Sequence, residues 1–167
     1  MRTYSGTIAF TWVVVLGLAG PTQAGSVYQW DYKNYPGAAC LPETIETYPG
    51  VYRQPNRIQH GGWKGDVPMR VICPIVRDNV LPSPSIDASV TGSPDLDCRF
   101  WSIDPAGVPA ASVGYSSYED FSPTVRKFYY VLKHNQTPFD GTFTFRCTLM
   151  PGQFIIQYNV GELTQGS

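Results

Sequence analysis

The sequence predicts an all-β domain, an antiparallel β-sandwich of the jelly-roll or Ig-like type with about seven to nine strands. Three observations predict it. Apolar residues recur mostly at a spacing of two, proline and glycine are too frequent for long helices, and turn-rich segments separate the apolar stretches. Four cysteines add disulfide staples to the predicted sandwich.

The chain begins with what we expect to be a secretory signal peptide, residues 1–24, rather than a strand. Arg2 supplies positive charge, residues 8–20 form an apolar core, and small residues precede a cleavage point after Ala24. The apolar core is shorter than the ~20 residues of a membrane-spanning helix. We therefore expect a secreted, extracellular bacterial protein that leaves the membrane on cleavage, with residues 25–167 as a single domain.

Residues 25–39 are predicted to form an extended N-terminal segment with a row of aromatic rings. Tyr28, Trp30 and Tyr32 lie two apart, so in a strand their side chains share one face. Such a row has three interpretations: the first strand of the chain's own sheet, a strand donated to a neighbouring subunit, or an exposed platform for sugars.

The remaining predicted strands follow the same alternation of apolar and polar residues. The clearest is 141–150, where Phe143, Phe145, Cys147 and Leu149 share a face. The segment 151–153 turns the chain into 154–160, and the two strands are predicted to form a C-terminal hairpin. The other predicted strands are 66–76, 85–90, 96–103 and 125–133.

The four cysteines are Cys40, Cys73, Cys98 and Cys147, and none is spaced as in a zinc or thioredoxin motif. Three pairings of two disulfides are open. Because Cys98 and Cys147 both point inward on predicted strands, a bridge between them is favoured over the alternatives, and it leaves Cys40 to pair with Cys73.

Several short motifs resemble those of a group of small secreted bacterial proteins. The motifs are "AACLPE", "VICPIVRDN", "DLDC", "FRCTLMPG" and "IIQYNVGEL", which together span most of residues 38–162. The group has a CPI-x-RD segment and a C-terminal I-x-x-Y-x-V-x-E strand, and no activity is assigned to it. The resemblance implies a β-sandwich and bacterial export. Arg77 and Asp78 match its "RD", where a strand-end salt bridge is favoured over catalysis.

No catalytic, cofactor or metal site is predicted from the sequence. His60 lies in "QHGGW" without a G-x-S-x-G nucleophile motif, and His134 lies in a turn. Residues 93–98, "SPDLDC", lack the series of ligands of a defined calcium loop. Carboxylate pairs that could support glycoside hydrolysis all fall in or beside predicted loops. They are Asp95 with Asp97, Glu119 with Asp120, and Glu43 with Glu46.

Charge excludes two classes of partner. After removal of Arg2 with the signal, eleven basic residues face thirteen acidic ones, and no basic run is long enough to track phosphates or anionic lipids. Nucleic acid and membrane surfaces are therefore not expected partners. Asn135, in Asn-Gln-Thr, is a formal acceptor for N-glycosylation.

The sequence favours a non-enzymatic structural or interaction protein. The first hypothesis is a subunit that binds copies of itself in a pilus-like extracellular filament or surface layer, by strand addition of the aromatic segment. The alternative is a glycan-binding module that uses exposed aromatic rings. A secreted hydrolase is a remote third.

Overall fold

Two antiparallel sheets pack face to face in the computed structural model, which describes residues 28–44, 50–62, 67–77, 85–133, 136–137 and 141–165. The expected signal peptide and Asn135 lie outside these residues. The strands in chain order are β1 (Tyr28–Pro36), β2 (Leu41–Pro42), β3 (Val51–Gln54), β4 (Arg57–His60), β5 (Met69–Ile75), β6 (Ser85–Gly92), β7 (Asp97–Ile103), β8 (Pro109–Val113), β9 (Ser117–Ser122), β10 (Val125–Lys133), β11 (Thr142–Leu149) and β12 (Phe154–Gln165).

One sheet has seven strands in the order β3-β4-β12-β6-β10-β9, with β1 also paired to β12, and the other has five in the order β2-β5-β11-β7-β8. Every pairing is antiparallel. The all-β sandwich predicted from the sequence is confirmed. Within the described ranges, no helix has the length and hydropathy that a membrane crossing requires.

The core lies between the two sheets and is built from the alternating apolar residues of each strand. Phe145 of β11 is at its centre, with its ring centroid 4.8 Å from Phe100 in its own sheet. It also meets Tyr130 at 5.0 Å and Tyr158 at 6.1 Å, both from the seven-stranded sheet. Edge-on ring contacts of this kind add about 0.5–1.5 kcal/mol beyond the burial of area.

The predicted C-terminal hairpin is wrong. Residues 151–153 do turn the chain, with Gly152 at φ 86° and a Gln153 N–H donating to the Met150 carbonyl at 2.9 Å. However, β11 pairs with β5 and β7, whereas β12 pairs with β1, β4 and β6. The turn therefore carries the chain from one sheet to the other, and two amphipathic strands separated by a short turn fit that crossing as well as a hairpin.

The structure describes twelve strands, more than the expected seven to nine. The additional ones are β2, β3, β4, β8 and β9. All six residues of β9 are exposed, and β3 is exposed over three of its four residues. Without a buried face, such strands lack the alternation on which the sequence prediction depends.

The favoured disulfide pairing is confirmed. Cys98 and Cys147 are directly opposite each other on β7 and β11, and Cys40 is bonded to Cys73 of β5. Both bridges therefore staple the five-stranded sheet. They close loops of 33 and 49 residues, each worth about 4 kcal/mol in the chain-entropy model.

Candidate functional site

The aromatic N-terminal segment is a strand of the chain's own sheet. β1 pairs with β12 in an unbroken antiparallel register from Tyr28 opposite Gln165 to Pro36 opposite Gln157. Tyr35 points inward, stacks on Tyr158 at 5.0 Å, and uses its hydroxyl both to donate to the Val76 carbonyl and to accept from the Val76 N–H. Strand donation to another subunit would have to break all of these contacts, and it gains no support from the structure.

A buried cluster of charges, which we call the Glu162 cluster, secures β1 further. The Glu162 side chain is 2% exposed and accepts a hydrogen bond from Lys33 Nζ at 3.0 Å. Arg77 Nε lies 3.7 Å from its other oxygen, and Lys33 also donates to the Val76 carbonyl. Arg77, just past the end of β5, is therefore part of an ion pair, as the sequence predicts, and its partner is Glu162. Asp78 lies outside the described residues.

The opposite side chains of β1 face outward and form a pair of rings. Trp30 is 39% exposed and Tyr32 is 59% exposed. Their centroids are 6.2 Å apart and their planes are 26° from parallel. This confirms that the two rings share a face; the Tyr28 side chain lies outside the description.

Gly161 of β12 makes room for the Tyr32 ring. It is directly opposite Tyr32 in the register, and a Cβ added at this position would lie 2.6 Å from Tyr32 Cε1. Only a residue without a side chain allows the ring to rest this close to the sheet.

The Tyr32 ring lines an open cleft of about 460 Å³ on the outer face of the seven-stranded sheet, and the Trp30 ring stacks beside Tyr32. In the strand register, its floor consists of two rows of residues, each row running across the neighbouring strands β12, β6 and β10. Asp87 is opposite Gly161 on one side and Val131 on the other. Ser89 is opposite both Asn159 and Tyr129. We call this cleft, with the Trp30 ring beside it, the aromatic groove; its lining includes Tyr32, Asp87, Ser89, Lys127, Tyr129 and Asn159.

Asp87 is the one carboxylate among the described residues of the groove lining, and no ion pair or hydrogen bond joins it to another of them. Partial burial raises the pKa of Asp87 above its ordinary value of 3.8, because desolvation disfavours the charged form. A carboxylate in this state has unfilled acceptor capacity toward hydroxyl groups.

Asn159 is held in a fixed orientation beside Asp87. Ser89 Oγ donates to Asn159 Oδ1 at 2.7 Å, which leaves the two amide N–H groups of Asn159 without an acceptor among the described residues. The groove floor therefore presents an acceptor and a donor side by side, which is the pattern that recognises polyhydroxylated ligands.

The far wall of the groove is a fixed network. The Tyr129 hydroxyl donates to Glu119 Oε2 at 2.8 Å, and Lys127 Nζ lies 4.9 Å from the Tyr129 ring centroid. The hydrogen bond to Glu119, with some desolvation, raises the pKa of Tyr129. One oxygen of the Glu119 carboxylate is thereby used in this hydrogen bond.

The other sequence candidates lie elsewhere or are already engaged. His60 is buried; its Nδ1 accepts from the Gly62 N–H at 3.0 Å and its Nε2 contacts the Val67 carbonyl at 2.8 Å, so it organises its own loop. Asp120 is paired with Arg126. His134 and Glu46 fall outside the described residues, within which no three acidic, His or Cys side chains form a metal cluster.

Sequence reasoning found the rings but missed Asp87, Ser89 and Asn159. A signal was present in "SIDASV", where Ile86, Ala88 and Val90 share the buried face and Asp87 and Ser89 must face outward. What the sequence did not show is that β12 and β1 lie next to β6 and complete the groove.

Comparison with known proteins gives no family. No protein-family model matches the chain, and no curated protein matches it. Among solved structures, it is similar to a carbohydrate-binding module for specific mannan recognition, at 10% identity and a TM-score of 0.42, over 84% of this chain and 100% of that one. It is also similar to a family GH115 4-O-methyl-α-glucuronidase with specificity for decorated arabinogalactans, at 11% identity and 0.39, over 81% of this chain and 18% of the enzyme. Neither likeness is close enough to carry a conclusion about function.

Proposed function

We propose that the chain is an exported, non-enzymatic glycan-binding protein, and that the aromatic groove binds a neutral polysaccharide chain. The observation that carries the proposal is the pair of exposed rings, Trp30 and Tyr32, at a groove where the Asp87 carboxylate and the Asn159 amide N–H groups have no partner among the described residues.

The chemistry of the groove matches the two kinds of surface that a sugar presents. The C–H face of a pyranose ring is apolar and stacks on aromatic rings, whereas its hydroxyls need donors and acceptors in fixed positions. Trp30 and Tyr32 offer the stacking surface. Asp87 accepts hydroxyl protons and Asn159 donates to hydroxyl oxygens.

Neutral sugars fit the groove better than charged ones. Its lining includes one acidic and one basic side chain, Asp87 and Lys127, so it has no excess of either sign. Lys127 is already placed over the Tyr129 ring. An acidic sugar would face the Asp87 carboxylate, and the described lining offers one cation, Lys127, to balance the two negative charges.

Binding is a better match to this geometry than hydrolysis. Glycoside hydrolysis by the common mechanisms requires two carboxyl groups on either side of the scissile bond. The described lining of the groove has one, Asp87, while Glu119 is outside that lining and accepts a hydrogen bond from the Tyr129 hydroxyl.

The proposal is tested by titrating soluble neutral polysaccharides (a mannan, a xylan, a β-glucan and a starch) into the exported, oxidised protein in a calorimeter. Trp30→Ala and Tyr32→Ala should each weaken binding about tenfold or more, because large central side chains dominate such contacts. The matched control is Phe121→Ala. Phe121 is 60% exposed, almost the same as Tyr32, but lies on the far edge strand β9.

The possible results separate clearly. Weaker binding by the Trp30 and Tyr32 variants, with Phe121→Ala unchanged and all variants folded by circular dichroism, supports the groove as the site. If no polysaccharide in the panel binds the wild type, or if Phe121→Ala loses as much affinity, the proposal is wrong. Light scattering of the same samples tests the filament hypothesis, which requires a large, polydisperse species.

A further inference from the structure

The outer face of the five-stranded sheet holds a group of arginines that the aromatic groove does not use. Arg70, Arg146 and Arg99 are exposed residues of β5, β11 and β7, which are adjacent strands in that order. They line a cleft of about 260 Å³, which we call the arginine cleft, together with Glu43, Asp97, Trp101 and Thr148.

The register brings two of the cations directly together. Arg146 is opposite Arg99, and Arg70 is one pair further along, opposite Thr148. Side chains directly opposite on neighbouring strands have Cβ atoms about 5 Å apart, and like charges in that position are destabilising. The disulfide between Cys98 and Cys147, the preceding pair on the inner face, fixes this juxtaposition covalently.

The three guanidinium groups form no ion pair with a described residue, although the carboxylates of Glu43 and Asp97 line the same cleft. None of them is within ion-pair or hydrogen-bond distance of another described side chain; Arg146 lies over the Trp101 ring, 5.1 Å from its centroid. The Trp101 indole N–H is buried and also lacks an acceptor among the described residues. The centre of the cleft is thus rich in unfilled donors, which an anionic ligand would satisfy.

The geometry of the arginine side chain indicates which kind of anion fits the cleft. A guanidinium is planar and offers parallel N–H donors that match a carboxylate in a bidentate pair. A cleft of this volume is smaller than the roughly 300–1,000 Å³ of drug-sized ligand pockets, so it holds a single sugar-sized unit.

Two acidic residues of the cleft restrict the class of ligand further. Glu43 and Asp97 lie at the same cleft and repel ligands with dense negative charge, such as nucleic acid or highly sulfated chains. The same carboxylates accept hydrogen bonds from hydroxyl groups. A ligand that combines one carboxylate with several hydroxyls satisfies both halves of the cleft.

We propose that the arginine cleft is a second binding site, which takes a hexuronic acid unit of an acidic polysaccharide. Arg99 and Arg146 pair with the sugar carboxylate, and Glu43 and Asp97 accept from its hydroxyls. The site is on the opposite side of the sandwich from the aromatic groove, and the proposal stands or falls independently of that groove.

The test compares polygalacturonate with its carboxyl-reduced, neutral derivative by calorimetry on the oxidised Trp30→Ala protein, in which the proposed neutral-sugar site is impaired. The charged polymer should bind and the reduced one should bind about tenfold more weakly or not at all, and the difference should shrink as salt rises. Equal binding of the two polymers, or binding of neither, would overturn the proposal.

Variants locate the site. Arg99→Gln and Arg146→Gln should each weaken polygalacturonate binding about tenfold, and Arg146→Lys should also weaken it because it keeps the charge but not the planar fork. Lys133→Gln is the charge-matched control, since Lys133 is exposed on β10 of the other sheet. Loss of affinity in Lys133→Gln as large as in the arginine variants would indicate a general charge effect and contradict the site.

Two further binding measurements test whether the cleft recognises a sugar acid, an acidic peptide or any small carboxylate. Poly-glutamate should bind more weakly than polygalacturonate; equal binding would replace the sugar with an acidic peptide and overturn the assignment. Sodium acetate at the same carboxylate concentration should compete poorly, and full competition would reduce the cleft to a simple anion site. Trp30→Ala should bind polygalacturonate normally, so failure of the aromatic groove would not be mistaken for failure here.

Discussion

The two outer faces of this sandwich have opposite chemistry on the same kind of backbone. Among the described residues, the cleft of the seven-stranded face presents an exposed ring, an amide and one carboxylate, whereas that of the five-stranded face presents three guanidinium groups, two carboxylates and one tryptophan. Side chains of a strand alternate between core and solvent, so the outward set can change completely while the inward set keeps the fold. The difference shows that the fold fixes which positions face outward but not the chemistry of the side chains at those positions.

The faces also differ in how they are held. Both disulfides link residues of the five-stranded sheet, so covalent bonds fix the strand register beneath the arginine cleft. The aromatic groove depends on β1, an edge strand that is fixed by its ladder to β12, the Tyr35 hydroxyl and the Glu162 cluster. Each support can be removed separately, and the two faces should respond separately.

Removing the buried carboxylate should have the largest effect. Glu162→Gln removes the carboxylate charge that pairs with Lys33 and Arg77 in a largely buried position, and breaking a buried ion pair costs about 3–5 kcal/mol of the free energy of unfolding. Urea unfolding measures this loss, and neutral-polysaccharide binding should fall with it because β1 loosens. Glu119→Gln, at an exposed site, should lose less than about 1 kcal/mol. An equal loss in both variants would show that the cluster has no special part in holding β1.

Removing the bridge between Cys98 and Cys147 should have the next largest effect, on the other face. Replacing both cysteines with serine should lower the free energy of unfolding by about 2–5 kcal/mol. Below the unfolding transition, polygalacturonate binding should weaken while neutral-polysaccharide binding persists. If the double variant loses both activities in the folded state, the faces are coupled and the comparison fails.

The sequence predicted the inward-facing half of this molecule well. Strands with one buried and one polar face, such as β10 and β11, were placed within a residue, and the inward cysteines gave the correct pairing. Strands without a buried face, such as β9, were missed because burial is what produces the alternation. The crossing from β11 to β12 was missed because a short turn between amphipathic strands is compatible with either a hairpin or a change of sheet.

The outward-facing half was predicted only where it lay on one strand. Trp30 and Tyr32 are two residues apart in sequence, so their common face followed from strand geometry. Asp87 and Asn159 become neighbours only through the pairing of β6 with β12, and Arg99 meets Arg146 only through β7 and β11. Long-range register is not encoded in local periodicity, and both sites depend on it.

A methyl group at Gly161 should sharpen the assignment of the aromatic groove. The added Cβ of Gly161→Ala would meet the Tyr32 ring at 2.6 Å, so the ring must move off the sheet. We expect neutral-polysaccharide affinity to fall about tenfold, with a loss of stability of about 1 kcal/mol or less because the contact is with a side chain that can shift. Gly114→Ala, where a Cβ meets nothing within 4 Å, is the control. Unchanged affinity in Gly161→Ala would mean that the position of the Tyr32 ring does not matter.

The two buried tyrosines of β10 and β12 should show that the shared core is distinct from both faces. Tyr158 donates its hydroxyl to the Pro74 carbonyl at 2.8 Å, whereas the Tyr130 hydroxyl is buried without an acceptor among the described residues. Tyr158→Phe should lose about 1 kcal/mol, and Tyr130→Phe should be neutral or stabilising. Thermal unfolding measures both, and neither change should alter polysaccharide binding. A larger loss in Tyr130→Phe than in Tyr158→Phe would contradict this account of the core.

The smallest expected change in stability is at Asp87, and its sign distinguishes a binding residue from a structural one. Because burial raises the pKa of Asp87 above 3.8, the folded state holds the proton more tightly than the unfolded state, and ionisation lowers stability as pH rises through that range. Asp87→Asn should therefore be as stable as the wild type at neutral pH or slightly more stable, by up to about 0.5 kcal/mol in thermal unfolding.

Ligand binding should respond to Asp87 in the opposite direction. The ionised carboxylate is the acceptor for sugar hydroxyls, so neutral-polysaccharide affinity of the wild type should fall on acidification, with a midpoint above pH 3.8. Asp87→Asn should bind more weakly at neutral pH and should lose this pH dependence, while its polygalacturonate affinity stays at the wild-type value. If the Asp87 carboxylate served the fold, its neutralisation would lower the stability of the protein. If it serves a ligand, neutralisation raises the stability and lowers the affinity for the polysaccharide. Reduced stability with unchanged affinity would remove Asp87 from the groove's binding function.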